Sequence, residues 1–180
     1  MGRLVIVSGP PGAGKSTVSR RLSQRTTAAL AMHMHTDDMY AYVKKGFVPP
    51  WMPESRDQNV TLMNAVAASA GICARGGYEV FIDGIVGPWF FAPWIEAART
   101  HEVELHYVVL LPDEPTTVSR ATGRTVPDAM RDVGVVRQMW QALQSEAGEA
   151  RHRIDTTGQS PDQTAEAIFA GLRDGRFRLA

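Results

Sequence analysis

Gly9-Pro10-Pro11-Gly12-Ala13-Gly14-Lys15-Ser16-Thr17 decides how this chain reads, because it follows the apolar run Leu4-Val5-Ile6-Val7 and opens a segment of helical periodicity. It fits G-x-x-x-x-G-K-[ST], the phosphate-binding loop, in the strand–loop–helix setting that the motif requires. Glycines at 9, 12 and 14 let the backbone turn tightly and bring its N–H groups up to an anion with no Cβ in the way. The helix that starts near Lys15 adds the positive end of its dipole. Lys15 can reach the β and γ oxygens of a nucleotide, and the Ser16 hydroxyl, with Thr17 beside it, can ligand Mg²⁺. A glycine-rich turn that merely caps a helix is the bland alternative. The flanking strand and the filled motif positions favour a site for ATP or GTP with Mg²⁺.

Outward from that loop, strand and helix patterns alternate. Residues 15–27 read as an amphipathic helix and 28–35 as a second strand, on which His33 and His35 share a face. A metal-binding histidine pair is conceivable there, but no third ligand stands at a recognisable spacing, so hydrogen-bonded histidines are the simpler expectation. Asp37 and Asp38 follow directly. Carboxylates at the ends of such strands face the ligand crevice, and Asp38 also reads as the N-cap of the next helix. Residues 44–56 form a proline-rich loop around Phe47, Trp51 and Met52, suited to covering a small organic ligand.

Ser55-Arg56-Asp57-Gln58 reads as a capping box opening a long helix that Gly76-Gly77 ends. Tyr78 to Asp83 then forms an apolar strand ending in a carboxylate followed by Gly84, the Walker B pattern in which the aspartate holds Mg²⁺. A second aromatic loop, 85–91, contains Trp89 and leads into a short helix over 94–100. Residues 103–111 are the most strand-like run of the chain. A helix bearing Arg120 follows, then a basic, irregular lid at about 121–132 with Arg124. A further amphipathic helix over 135–147 leads to a short strand ending in Thr157-Gly158. Ser160-Pro161-Asp162-Gln163 caps the closing helix. Five strand–helix alternations imply an α/β architecture: a parallel sheet covered by helices on both faces, in one domain over 1–180.

Composition narrows the function classes. The 180 residues carry 19 Lys plus Arg and 19 Asp plus Glu, so no basic field draws nucleic acid. The single cysteine, Cys73, allows neither an internal disulfide nor a thiolate metal cluster. No apolar run approaches membrane-spanning length and no signal-peptide pattern opens the chain, so a soluble, cytoplasmic protein, monomer or homodimer, is expected.

In the order and spacing of these features the chain resembles the small P-loop kinases. Among them it is most similar to chloramphenicol phosphotransferase and to the zeta-toxin, shikimate kinase and gluconate kinase relatives. The resemblance implies a sheet ordered 2-3-1-4-5 and a small lid. It implies that Asp37 takes the proton of a substrate hydroxyl, that Arg120 and Arg124 bracket the phosphates, and that Thr157, Gly158 and Gln159 lie beside adenine. The two aromatic loops match no single family's substrate signature.

The leading expectation is therefore an ATP- and Mg²⁺-dependent transfer of the γ-phosphoryl group to a hydroxyl of a small molecule, a metabolite or an antibiotic. Lys15, Asp37, Arg120 and Arg124 would be catalytic, Ser16 and Asp83 would hold the metal, and Asp37, Asp38, Trp51, Asp83, Gly84 and Trp89 would line the acceptor side. A nucleotide or nucleoside kinase is the nearest alternative. A nucleotide-dependent switch acting on a protein partner would want a water-positioning Gln or Glu after the Walker B aspartate, where Gly84 stands.

Overall fold

The computed structural model describes residues 2–125, 130–146 and 149–180. Runs such as Leu4–Val7 and Val80–Ile82 carry no polar side chain, so they gain from burial on both faces and take the middle of a parallel sheet. Among the described residues the strands are β1 (Arg3–Ser8), β2 (Ala31–His35), β3 (Glu79–Gly84), β4 (Glu104–Leu110) and β5 (Arg153–Ile154), in the order 2-3-1-4-5. All four neighbouring pairs are parallel. This is the P-loop NTPase fold, as the sequence predicts.

The helices are α1 (Lys15–Arg25), α2 (Asp37–Ala41), α3 (Arg56–Arg75), α4 (Phe91–His101), α5 (Glu114–Thr122), α6 (Val133–Glu146) and α7 (Pro161–Arg173). Alternate side chains of one strand enter different cores. Leu4 and Ile6 pack with Met63, Val66 and Ala70 of α3, Trp94 of α4 and Leu143 of α6. Val5 and Val7 pack with Val18 and Leu22 of α1 and Ile168 and Leu172 of α7. Each such aliphatic side chain contributes roughly 1.5–3 kcal/mol by leaving water. With both faces apolar, burial alone does not fix the register of β1 on β3. A charged pair does: Arg3 stands opposite Glu79, and its guanidinium bonds the buried Glu79 carboxylate, which Thr26 also reaches. A slip of one residue would leave Glu79 buried without its cation.

Because all strands run the same way, the C-terminal ends of β1, β2 and β3 deliver the phosphate loop, Asp37 and Asp83-Gly84 to one edge. Two local expectations need correction. β2 starts at Ala31 rather than Ala28, because the Ala28 N–H turns back onto Thr26 Oγ1 at 3.1 Å instead of joining the ladder. The Ser55 capping box does not form: Ser55 Oγ donates to the Pro50 and Met52 carbonyls, and Gln58 grips the loop before it. The one at Ser160-Gln163 does form. The lid at 121–132 is described only in part, since 126–129 lie outside the described residues.

Candidate active site

The phosphate loop leaves β1 at Ser8 and returns into α1. Gly14 has φ 91°, a left-handed value that costs glycine little, and a Cβ built there would meet nothing within 4 Å. The loop therefore presents an open, amide-lined approach at the start of a helix. Lys15 Nζ donates to the Pro10 carbonyl at 3.0 Å. Burial pushes its pKa down from 10.5 to about 8; the charges of Asp83 and Asp37 pull it back up and that of Arg124 lowers it further. An ammonium with so little compensating charge fits the phosphates of a nucleotide.

Ser16 Oγ donates to Asp83 Oδ2 at 2.5 Å, which brings a hydroxyl and a carboxylate to one point. Burial raises the Asp83 pKa, but hydrogen bonds from His33 and Ser16 and the nearby histidine charges outweigh it, so the carboxyl sits below its ordinary range and is ionised at neutral pH. That pair fits Mg²⁺, whose remaining ligands in such sites are phosphate and water. His33 Nε2 lies 2.6 Å from Asp83 Oδ1, and His35 Nε2 lies 3.5 Å from Asp83 Oδ2. The two histidines thus share a face, as their spacing requires, and reach a carboxylate. No cluster of three or more His, Cys, Asp or Glu suited to a metal occurs among the described residues.

Asp37 and Asp38 are placed differently from one another. The Thr36 N–H bonds the Asp83 carbonyl at 2.9 Å and the Thr36 carbonyl accepts from Met39 N at 3.3 Å, so α2 starts two residues earlier than an Asp38 cap would place it. Thr36, not Asp38, precedes the helix, and it makes no side-chain cap. Asp38 is an exposed helical residue outside the cavity wall. Asp37 lines the cavity with its side chain 73% exposed, and its N–H donates to His35 Nδ1 at 3.1 Å. Gly84 permits this approach of β2 to β3, because a Cβ there would sit 2.1 Å from Thr36 Oγ1.

A cavity of about 540 Å³ opens between these elements. Lys15, Ser16, Asp37 and Gly84 line it together with Phe47, Trp51 and Trp89 of the two aromatic loops. Trp51 is 49% exposed and Trp89 45%. The 44–56 loop is tied to α3 by side chains rather than by its own prolines alone. Gln58 accepts from Val48 N at 2.9 Å and donates to Val48 O at 2.7 Å. Asn59 Nδ2 donates to Pro50 O and to Ser55 Oγ, both at 2.8 Å, while Asn59 Oδ1 accepts from the Tyr40 hydroxyl at 3.0 Å. Asn59 thereby joins α2, the loop and α3.

Arg124 lies in the cavity wall and acts electrostatically on Lys15. Arg120 is exposed on α5 and outside that wall. Thr157, Gly158 and Gln159 are also outside it: Thr157 Oγ1 accepts from Asp113 N at 2.8 Å, and Gln159 Nε2 donates to Asp155 O at 2.8 Å, within the turn after β5. Asp83 is fully buried behind Ser16. Sequence reasoning missed Tyr40, Asn59 and Gln138 as parts of the wall. Asn59 carried a signal, a polar residue on the same helical face as Met63 and Val66.

Residues 4–149 match the family model described as AAA domain. A putative adenylate kinase of Thermococcus onnurineus (strain NA1) is 26% identical over 189 residues, covering 96% of this chain and 85% of the relative. A sugar kinase from Janibacter sp. HTCC2649 superposes with TM-score 0.73 at 18% identity, over 96% of this chain and 95% of that one. The tunicamycin resistance protein of Deinococcus radiodurans does so with TM-score 0.70 at 17% identity, over 96% of each. At such identities the two superpositions speak for the fold. The family match, which begins in β1 and takes in the phosphate loop, Asp37 and Asp83, carries more: the chain belongs to the AAA domain family of P-loop nucleotide-binding proteins.

Proposed function

We propose that this protein is an ATP-dependent phosphotransferase that moves the γ-phosphoryl group onto a hydroxyl of a small molecule. The observation that carries the reading is one cavity in which Lys15 and Ser16 of the phosphate loop share a wall with Asp37 and the aromatic loops. Phosphoryl transfer needs positioning and charge neutralisation more than covalent chemistry. The loop amides and Lys15 bind the phosphates, and Arg124, with Arg120 from α5, neutralises charge that builds during transfer. Ser16 and Asp83 would hold Mg²⁺, which would neutralise charge on the phosphates. The acceptor oxygen forms a bond to the γ-phosphorus, the bond from that phosphorus to the β–γ bridging oxygen breaks, ADP leaves, and the hydroxyl proton passes to the Asp37 carboxylate. The turn after β5, with Thr157, Gly158 and Gln159, receives the adenine.

The kinase names among the relatives support a phosphotransferase. The putative adenylate kinase among them keeps a nucleotide or nucleoside acceptor as the second reading. A screen of hydroxylated metabolites, nucleosides and antibiotics, read as ADP formed above the no-acceptor background, tests the proposal. Acceptor-dependent ADP supports it. Fast acceptor-independent hydrolysis stimulated by a protein partner contradicts it.

A further inference from the structure

We propose that the acceptor carries no anionic group: the cavity takes an uncharged, largely aromatic or aliphatic hydroxyl compound and rejects nucleoside monophosphates and hydroxy acids. This rests on the phosphotransferase reading and adds the charge of the substrate to it.

The argument is an inventory of what the wall offers an anion. Among the described residues the cations in the wall are Lys15 and Arg124. Lys15 belongs to the phosphate loop, and on the phosphotransferase reading both cations are engaged by the phosphates of the nucleotide. A carboxylate or phosphate on the acceptor needs its own donors, and the polar groups of Asn59, Tyr40 and His35 are already engaged within the wall. The Asn59 amide nitrogen donates to Pro50 O and Ser55 Oγ. The Tyr40 hydroxyl donates to Asn59, and burial together with the Asp37 charge pushes its pKa up to about 12. His35 Nδ1 accepts from the Asp37 N–H, and its Nε2 faces Asp83 at 3.5 Å, so both ring nitrogens are turned to groups of the protein. The charged group left facing the acceptor is the Asp37 carboxylate, and it repels a second anion in a space walled by Phe47, Trp51, Trp89 and Phe90. Aromatic faces and a single carboxylate bind neutral rings and alkyl chains well and unpaired anions badly.

Binding and turnover together test this. The full chain is loaded with Mg²⁺ and β,γ-imido-ATP, so that Lys15 and Arg124 are occupied, and tryptophan fluorescence is titrated with matched pairs. One pair is 3-phenylpropane-1,2-diol against 3-phenyllactate; the other is adenosine against adenosine 5′-monophosphate. The neutral member of each pair is expected to bind at least tenfold more tightly, and Gln138→Arg, which puts a cation into the wall from α6, is expected to narrow the gap for 3-phenyllactate tenfold or more. Equal or tighter binding of the anions overturns the inference, as does absence of binding by both neutral members. ADP formation with ATP in place of the analogue separates the two levels of the reading. Turnover on an anionic acceptor refutes the charge selectivity and leaves phosphotransfer standing. Neutral probes that bind in a protein that transfers phosphate to no acceptor refute phosphotransfer and leave the charge selectivity standing.

Discussion

The Lys15 ammonium is held at a pKa of about 8 against 10.5 by its burial, and this makes nucleotide binding a proton-linked event. The penalty of the buried charge is fully present below pH 8 and gone above 10.5, so the nucleotide-free protein gains stability as pH rises through that window. Phosphate oxygens at Nζ reverse the burden: the bound state keeps the proton where the free state has lost it. Between those two values ATP binding therefore takes up a proton, about 0.9 per ATP at pH 9, and affinity falls roughly tenfold per pH unit above 8. From pH 7 to pH 10 the Kd should rise about a hundredfold, while Lys15→Met should bind weakly with a nearly flat profile. Calorimetry at pH 9 in two buffers of different ionisation enthalpy counts the protons directly. Zero uptake with a flat wild-type Kd would show that Lys15 does not meet the phosphates, and the placement of the nucleotide would fail with it.

The other expectations concern the acceptor side. Asp37→Asn should lower kcat by roughly 10²- to 10⁴-fold with ATP affinity nearly intact, whereas Asp38→Asn, exposed and off the wall, should stay active; the reverse ranking in steady-state kinetics would move the base to Asp38. Asn59→Ala removes the joint between Tyr40 and the 44–56 loop, so it should raise the acceptor KM at least tenfold and cost about 1–3 kcal/mol in chemical denaturation, with the KM for ATP unchanged. Trp51→Ala and Trp89→Ala should each raise the acceptor KM, and if neither does, the aromatic loops are cover for the core only. Gly84→Ala drives a Cβ against Thr36 and should lower both Tm and kcat, because it pushes Asp37 away from the phosphate loop.

The fold was readable because its signals are local. A glycine-rich loop between an apolar strand and a helix, an aspartate ending the run Val80–Asp83 and five alternations of period carried the parallel α/β architecture, and the family resemblance built on them carried the sheet order. The turn at Asp37 was not, because its start is set by a tertiary bond from Thr36 to the Asp83 carbonyl, on a strand far along the chain. Ser55 and Gln58 had the spacing of a capping box, yet the proline loop beside them offered carbonyls and an amide that won both side chains. Asn59 gave only a faint pattern, since its partners Tyr40 and Pro50 become neighbours when the loop folds back on α3. Local chemistry thus specified the glycine-rich loop, and long-range packing specified the aromatic cavity beside it.

The most direct measurement uses ATP labelled with ¹⁸O on the γ-phosphoryl oxygens, an accepted hydroxyl compound, and mass spectrometry of the products. Transfer in the cavity predicts an acceptor phosphate ester that carries the labelled oxygens with an unlabelled bridging oxygen from the acceptor, formed by the wild-type protein and lost in Asp37→Asn. Label found only in inorganic phosphate, at equal rates with and without acceptor, would contradict the account.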